Sequence, residues 1–327
     1  MSPLGTQMRR RKFIIVLAGV TGVPFLAEAQ LKKRPTVGML ALGSPNPEAF
    51  FSGIREGLRT LAYVDGQNIQ FEIRSAGREA TALADAAAEL ARLRVDVIVA
   101  FQTPAVTAAK QATKEIPIVM AGVGDPVGTS LIASLARPGG NVTGTANLGA
   151  ETVGKSIELM REALPLARRV AVLANIADPF TKPFLTNIEL SGSRLDLEIY
   201  PIMLRPGEDF DAAFTDMRSK RIDAVLVQPS LLQPRVVALA LEYRLPSFSI
   251  IKTLPATGGL MSYSADQTVL FVETARYVDK ILKGAKPADL PVQQPSKFEL
   301  TINTKTAKAL GITLPPSILA RADEVIE

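Results

Sequence analysis

Cysteine and histidine are both absent from the 327 residues, and together these absences remove much of the chemistry that proteins perform near neutral pH. Without cysteine, no disulfide can brace the chain in an oxidising compartment, so stability must come from packing. Without either residue there is no Cys nucleophile, no His general base, no Ser-His-Asp triad and no His- or Cys-based zinc site. Catalysis by Asp, Glu, Lys or a Ser-Lys pair stays open. Binding is favoured over catalysis, and no metal or cofactor is expected. The chain also lacks a G-x-G-x-x-G after a strand and a P-loop, and Gly139-Gly140-Asn141 reads only as a turn, so a dinucleotide or nucleoside triphosphate finds no support.

A basic cluster stands near the start of the sequence. Arg9, Arg10, Arg11 and Lys12 precede an uncharged apolar run, Phe13–Leu26, and Ala27-Glu28-Ala29 follows. This is the n-region, h-region and A-x-A order of an export signal. The apolar run is about fourteen residues, short of the ~20 that span a bilayer. The segment 1–29 is therefore expected to be removed after Ala29, the alternative being an uncleaved anchor. No Cys follows the cut to carry a lipid. Arg10-Arg11-Lys12-Phe13-Ile14 also resembles the twin-arginine signal, although Arg9 stands where a polar residue is usual, so twin-arginine and general secretion routes both stay open. Either route leads out of the cytoplasm, to the periplasm. Of 37 basic and 32 acidic residues, the signal holds four and one, so the remainder is 33 against 31, or +2. With no basic block left, nucleic acid is not an expected partner.

The length suits two domains, and 47% hydrophobic residues supply cores for both. Apolar β-type runs alternate with amphipathic helical stretches, as parallel βαβ units require. The first half offers strands at Thr36–Leu42, Asn68–Arg74, Asp96–Phe101, Ile116–Gly122 and Val142–Ala146. Helices are expected at Pro47–Leu61, Ala80–Leu93, Pro104–Lys114 and Ser130–Ala136. The rhythm restarts near Ala150 and reaches Leu260–Tyr263, yet about sixty residues remain: a long helix at Gln267–Lys283, a Pro-rich connection, a strand at Phe298–Asn303 and a helical tail. The expected fold is α/β, two Rossmann-like lobes with parallel sheets, joined by about three crossovers that form a hinge. The first lobe would comprise 30–147 plus 265–288, and the second 148–264 plus 289–327.

In open α/β sheets the ligand lies beyond the carboxyl ends of the strands, which makes the following loops the candidates. Ser44 and Thr103 offer hydroxyls at helix starts, and Thr103-Pro104 reads as an N-cap with Pro at N1. Such a start can hold a carboxylate. Asp125-Pro126 and Asp178-Pro179 look like caps that could instead receive an ammonium or hydroxyl group. Ser264-Ala-Asp-Gln267 matches a capping box with Ser264 at N-cap, leaving Asp266 to face the cleft. Asn175 and Ser230 lie in the corresponding second-half loops. Phe101, Phe180 and Tyr263 are candidate aromatic walls, Phe101 being the one best explained as ordinary core.

Five stretches carry a family resemblance: 116–127 (IPIVMAGVGDPV), 136–144 (ARPGGNVTG), 258–266 (GGLMSYSAD), 277–291 (YVDKILKGAKPADLP) and 297–311 (KFELTINTKTAKALG). The chain resembles the periplasmic substrate-binding proteins of bacterial ABC transporters, in the tryptophan/tyrosine-type group of the type I binding-protein fold. The resemblance implies a cleft that closes on a small molecule, an amino acid or an aromatic or small carboxylate, and delivery to an ABC permease in the inner membrane by a monomer. It gives Thr103 and Ser44 the ligand's carboxylate, and Asn175 and Asp266 its amine. The chain departs from the pattern at Gln228-Pro-Ser230, where many relatives have an acidic residue after the proline, and at Asn147, where an aliphatic hinge residue is expected.

The expected function is capture of a small organic solute. A ligand sensor serving a membrane receptor and an exported carboxylate-dependent hydrolase are the alternatives, and the sequence offers no carboxylate cluster for the second. A sugar-responsive repressor would share the fold, but an export signal stands where its DNA-binding headpiece belongs.

Overall fold

The computed structural model describes residues 34–42, 48–76, 80–205 and 208–327. Residues 1–29, expected to be an export signal, and Ser44 lie outside the described residues. Among those described, no helix is long and apolar enough to cross a membrane.

The Val- and Ile-rich runs of the first half become five parallel strands: β1 (Thr36–Ala41), β2 (Gln70–Ser75), β3 (Val97–Phe101), β4 (Ile118–Val123) and β5 (Val142–Ala146). Their order is β2-β1-β3-β4-β5. The inner strands β3 and β4 are buried along their whole length, which is why their sequences are uniformly apolar rather than alternating. The edge strand β2 is only partly buried and carries Glu72 and Arg74, Arg74 pairing with Glu72 and with Glu89. One face of the sheet is covered by α2 (Ala80–Arg92) and α3 (Gln102–Ala112), through Leu83, Leu90, Val106 and Ala109. The other is covered by α1 (Glu48–Thr60), through Phe51, Ile54 and Leu58, together with a helix that comes from far along the chain.

The second sheet has seven strands. In chain order they are β6 (Arg169–Asn175), β7 (Glu198–Leu204), β8 (Ala224–Val227), β9 (Ser247–Ser249), β10 (Met261–Ala265), β11 (Phe298–Asn303) and β12 (Glu324–Ile326). Across the sheet they run β12-β11-β10-β9-β8-β6-β7. One face packs α4 (Gly149–Ala163) and α5 (Thr181–Arg194), the other α6 (Phe210–Ser219) and α7 (Pro234–Glu242). A single turn, α8 (Thr253–Ala256), separates β9 from β10. The sheet is not wholly parallel as expected: β11 runs antiparallel to β10.

Between β10 and β11 the chain returns to the first sheet. Helix α9 (Gln267–Leu282) packs on α1 through Leu270, Phe271, Ala275 and Val278. Residues beyond it add to the β5 edge: Val292 N–H donates to Leu135 O at 2.7 Å, and Gln293 N–H to Gly144 O at 3.0 Å. The division placed at 288/289 therefore falls inside a segment that lies with the first sheet. The three crossovers run from β5 to α4, from β10 to α9, and from Gln293 to β11. The tail forms α10 (Thr304–Leu310) and α11 (Pro316–Leu319), then ends in β12 rather than in helix.

The helix expected at Ser130–Ala136 is absent. That segment is made of turns, with Leu131 N–H and Ile132 N–H both bonded to Pro126 O. The Lys110 ammonium takes the carbonyl oxygens of Ser130 and Leu131. With Arg137-Pro138-Gly139 immediately downstream, there is no room for a second helical turn.

Gly144 on β5 has φ +127°, and a Cβ there would lie 2.3 Å from Met120 O and 2.7 Å from Met120 N. The β4–β5 register shifts between Met120 and Val123, so this glycine lets β5 approach the irregular strand. Gly144→Ala is expected to lower stability by at least ~2 kcal/mol, read as the shift in the urea midpoint. An unchanged midpoint would show that β4 relaxes freely.

Candidate functional site

A cavity of about 580 Å³, counting its mouth to solvent, lies between the two sheets at the carboxyl ends of their strands. The first-sheet wall is built by an abrupt join. Strand β3 passes into α3 without a loop because Gln102, the first helical residue, adopts φ +67°, a left-handed conformation that costs a non-glycine residue ~1 kcal/mol or more. Thr103 is therefore in the first turn of the helix and not at its N-cap. The cap position is Phe101, and among the described residues α3 has no side-chain cap. Gln102 and Thr103 line the cavity, so uncapped N–H groups and the positive end of the helix dipole stand beside it. Phe101 also lines it, at the centre of a ring cluster with Phe50 (4.8 Å) and Phe271 (6.0 Å).

The opposite wall rests on a buried polar network. Asp178 precedes α5, and its carboxylate accepts from Phe180 N–H at 2.9 Å, from Gln228 Nε2 at 2.9 Å and from Ser230 Oγ at 2.7 Å. Gln228, fully buried at the end of β8, uses its other end as well: Oε1 accepts from Asn175 N–H at 2.8 Å and Thr181 Oγ1 at 2.9 Å. Among the described residues, three of roughly four acceptor positions on the Asp178 carboxylate are filled, and the residue lines the cavity. Burial pushes the Asp178 carboxyl up to about 6, against the opposing pull of the Phe180 N–H, the Ser230 hydroxyl and the Gln228 amide.

Phe180 is one point of contact between the walls. A Cβ at Gly124 would lie 2.5 Å from its ring, and one at Gly149 would lie 2.7 Å from it. Glycine at both positions is what lets a second-sheet aromatic reach the end of β4 and the start of α4. The first crossover is tied to the same place by Asn147 N–H to Val123 O, Asn147 Nδ2 to Gly122 O and Gly149 N–H to Gly124 O, each 2.9 to 3.0 Å.

Of the residues singled out in the sequence, Thr103, Asp178, Phe180 and Ser230 meet around this one cavity. Asn175 belongs to the network behind it, with Nδ2 3.4 Å from Ser230 Oγ, but opens on a neighbouring cavity beside Pro104 and Thr107 of α3. Asp125 bonds Gly128 N–H and Thr129 in its own turn. Tyr263 stacks on Phe298 with ring centroids 5.7 Å apart. Neither is among the lining residues. Asp266, not Ser264, is the N-cap of α9, accepting from Thr268 and Val269 N–H and pairing with Lys297 at 2.9 Å. Burial raises its carboxyl, but Lys297 and the two N–H groups outweigh this and hold it below the usual range. It faces a separate cavity at the crossovers. Gln102, Asn147, Ile250, Ile251, Ser264 and Phe271 line the main cavity without having been singled out for it. The start of α9 was readable as a cleft element, so Phe271, one turn in, was within reach of the sequence. Nothing local marks Gln102.

The chain's residues 40–326 match the pattern of the ABC transporter substrate binding proteins. It belongs to that family. A tyrosine-binding protein of Clostridioides difficile (strain R20291) is 27% identical over 318 residues, covering 91% of each chain. A Streptococcus pneumoniae ABC domain solved in complex with L-Trp is 29% identical, with TM-score 0.81 over 90% of this chain and all of that one. The ligand-free, open structure of a substrate binding protein with adhesive properties from Clostridium difficile is 26% identical. Its TM-score is 0.61, over 89% of this chain and 99% of that one. The fold is that of type I periplasmic binding proteins. Family members are binding proteins for small solutes that serve a permease, and they work outside the cytoplasm.

Two outcomes follow from the carboxylates. A folded pKa raised above the unfolded value contributes stability that is present below about pH 4 and lost as pH rises through about 6. Relative to Asp178→Asn, the wild type should lose on the order of 3 kcal/mol between pH 4 and pH 7, measured by urea unfolding across that range; parallel curves would remove the raised pKa. Asp266→Ala should cost about 1 kcal/mol through the lost α9 cap and change solute affinity little. The tenfold or greater loss of an amine-bearing ligand that a cleft-facing Asp266 would give is the opposite outcome in calorimetry.

Proposed function

We propose that this chain captures an amino acid with an apolar, preferably aromatic, side chain between its lobes and presents it to an ABC permease. The observation that carries the reading is the polarity of the cavity. One wall has a buried carboxylate with an acceptor position free, and the other has the uncapped first turn of an eleven-residue helix. Phe101, Phe271, Ile250 and Ile251 lie around them. A zwitterion with an apolar tail answers each feature: ammonium at Asp178, carboxylate at the N–H groups of α3, and the side chain against the rings. Thr103 and Ser230 assist the two ends, and Phe180 forms part of the wall. Asn175 acts through Ser230. Asp125 and Tyr263 contribute to the rim, and Ser44 adds a hydroxyl for the ligand's carboxylate.

The tyrosine-binding relative and the L-Trp complex support the aromatic preference. The higher TM-score to the L-Trp complex than to the open structure supports an arrangement of lobes close to the ligand-bound one, as does Phe180 seated against Gly124 and Gly149. Binding then works as a signal because ligand touching both walls favours the closed state. The protein acts as a monomer in the periplasm after removal of 1–29, and carries no enzymatic activity of its own.

The test is a thermal-shift screen of residues 30–327 with L-tyrosine, L-tryptophan, L-phenylalanine, aromatic acids, sugars and nucleosides. A ligand at one hundred times its Kd adds about 2.7 kcal/mol to stability, an easily measured shift. An aromatic amino acid should stand out. Asp178→Asn should weaken it tenfold or more, because a charge-assisted contact of roughly 1.5–3 kcal/mol is lost. Wild-type affinity should also fall as pH drops below about 6, where Asp178 takes up a proton. A shift only with sugars or nucleosides would reject the amino-acid reading.

A further inference from the structure

Two buried polar atoms at the interlobe cavity have no hydrogen-bond partner among the described residues: Asn147 Oδ1 and Ser264 Oγ. Both residues line the cavity, and they flank two different crossovers. Ser264 is only 2% exposed, near the end of β10, where its backbone is held in register with Glu299 of β11. The Asn147 amide has its orientation fixed, since Nδ2 donates to Gly122 O at 3.0 Å. Its oxygen can therefore only accept. That oxygen lies 3.0 Å from the point where a Gly149 side chain would begin, and Phe180 Cζ lies 2.7 Å from the same point. The unpartnered oxygen thus sits beside the edge of the ring that walls the cavity, two residues along the chain from Asp178.

A buried polar group without a partner costs roughly 1–3 kcal/mol, and most such groups in folded proteins find one. Two of them on residues that line one cavity point to partners that come with the ligand. We propose that Asn147 and Ser264 form a hinge subsite that takes a hydrogen-bond donor of the ligand, an N–H or O–H group. The inference rests on solute capture in this cavity and adds which atoms read the solute's polar end. A carboxylate oxygen placed there would oppose the lone pairs of Asn147 Oδ1, so the subsite sets the ligand's direction: donor end toward the crossovers and Asp178, acceptor end toward α3. It also puts a ligand contact on segments that must twist when the lobes move, which links occupancy to closure.

Ser264→Ala separates this role from a structural one. The probe is whichever of L-tyrosine, L-tryptophan, 4-hydroxybenzoate and uridine shifts the wild-type melting temperature most. Without probe, Ser264→Ala should melt at or above the wild-type temperature, because it removes an unsatisfied hydroxyl. With probe, calorimetry should show affinity reduced about tenfold, and Asn147→Leu should reduce it as well. Unchanged affinity in Ser264→Ala overturns the subsite, as does a melting temperature several degrees lower without probe, which would reveal a structural partner for the hydroxyl. If the best probe is not an amino acid, the amino-acid reading fails on its own, and the same comparison still decides the subsite.

Discussion

The amide of Gln228 holds three chain segments at one point, and the second wall of the cavity depends on it. Its oxygen gathers the end of β6 and the start of α5 through Asn175 N–H and Thr181 Oγ1, while its nitrogen donates to Asp178. A glutamate here could still accept from the first two but would set a second charge against Asp178. The neutral amide instead lets one carboxylate stay buried beside the cavity, with its proton affinity raised and its geometry fixed. The departure from the expected family pattern lies two residues on, at Ser230 after the proline, and it fits this arrangement: the acid is supplied by Asp178, and the β8 loop answers it with the Gln228 amide and the Ser230 hydroxyl.

The first wall achieves its polarity by another route. Among the described residues, no first-half side chain that lines the cavity is charged. The join between β3 and α3, with left-handed Gln102 between them, leaves the helix start without a side-chain cap. One wall is negative through a side chain, the other positive through backbone. Neither wall is strongly charged in isolation, which suits a protein whose task is to hold a solute and then release it.

The sequence revealed the alternation of strands and helices because burial on both faces of a parallel sheet forces uniform Val- and Ile-rich strands, and these cannot be confused with loops. It also placed the site at the strand ends. Where it failed, tertiary structure overrode a local pattern. Ser264-Ala-Asp-Gln267 fits a capping box, but pairing of Ser264 and Ala265 with β11 keeps both residues extended, so the cap passes to Asp266 and the serine is free to face the cavity. Thr103-Pro104 fits a helix start, but the helix begins two residues earlier, at Gln102, on a backbone conformation no composition rule predicts. The antiparallel β11 follows from the long excursion through α9, whose endpoint depends on the other sheet.

That excursion bears on how the protein comes to be made. The core beneath α1 includes Phe51, Ile54 and Leu58, and it is completed by Leu270, Phe271, Ala275 and Val278 of α9, roughly two hundred residues later in the sequence. A ribosome must therefore finish most of the chain before its first half can close, and contacts of such long separation form slowly. During that interval the apolar face of α1 is without its cover. A newly made chain of this design spends its early life incompletely folded, which gives a cellular chaperone time to bind it before α9 locks into place against α1.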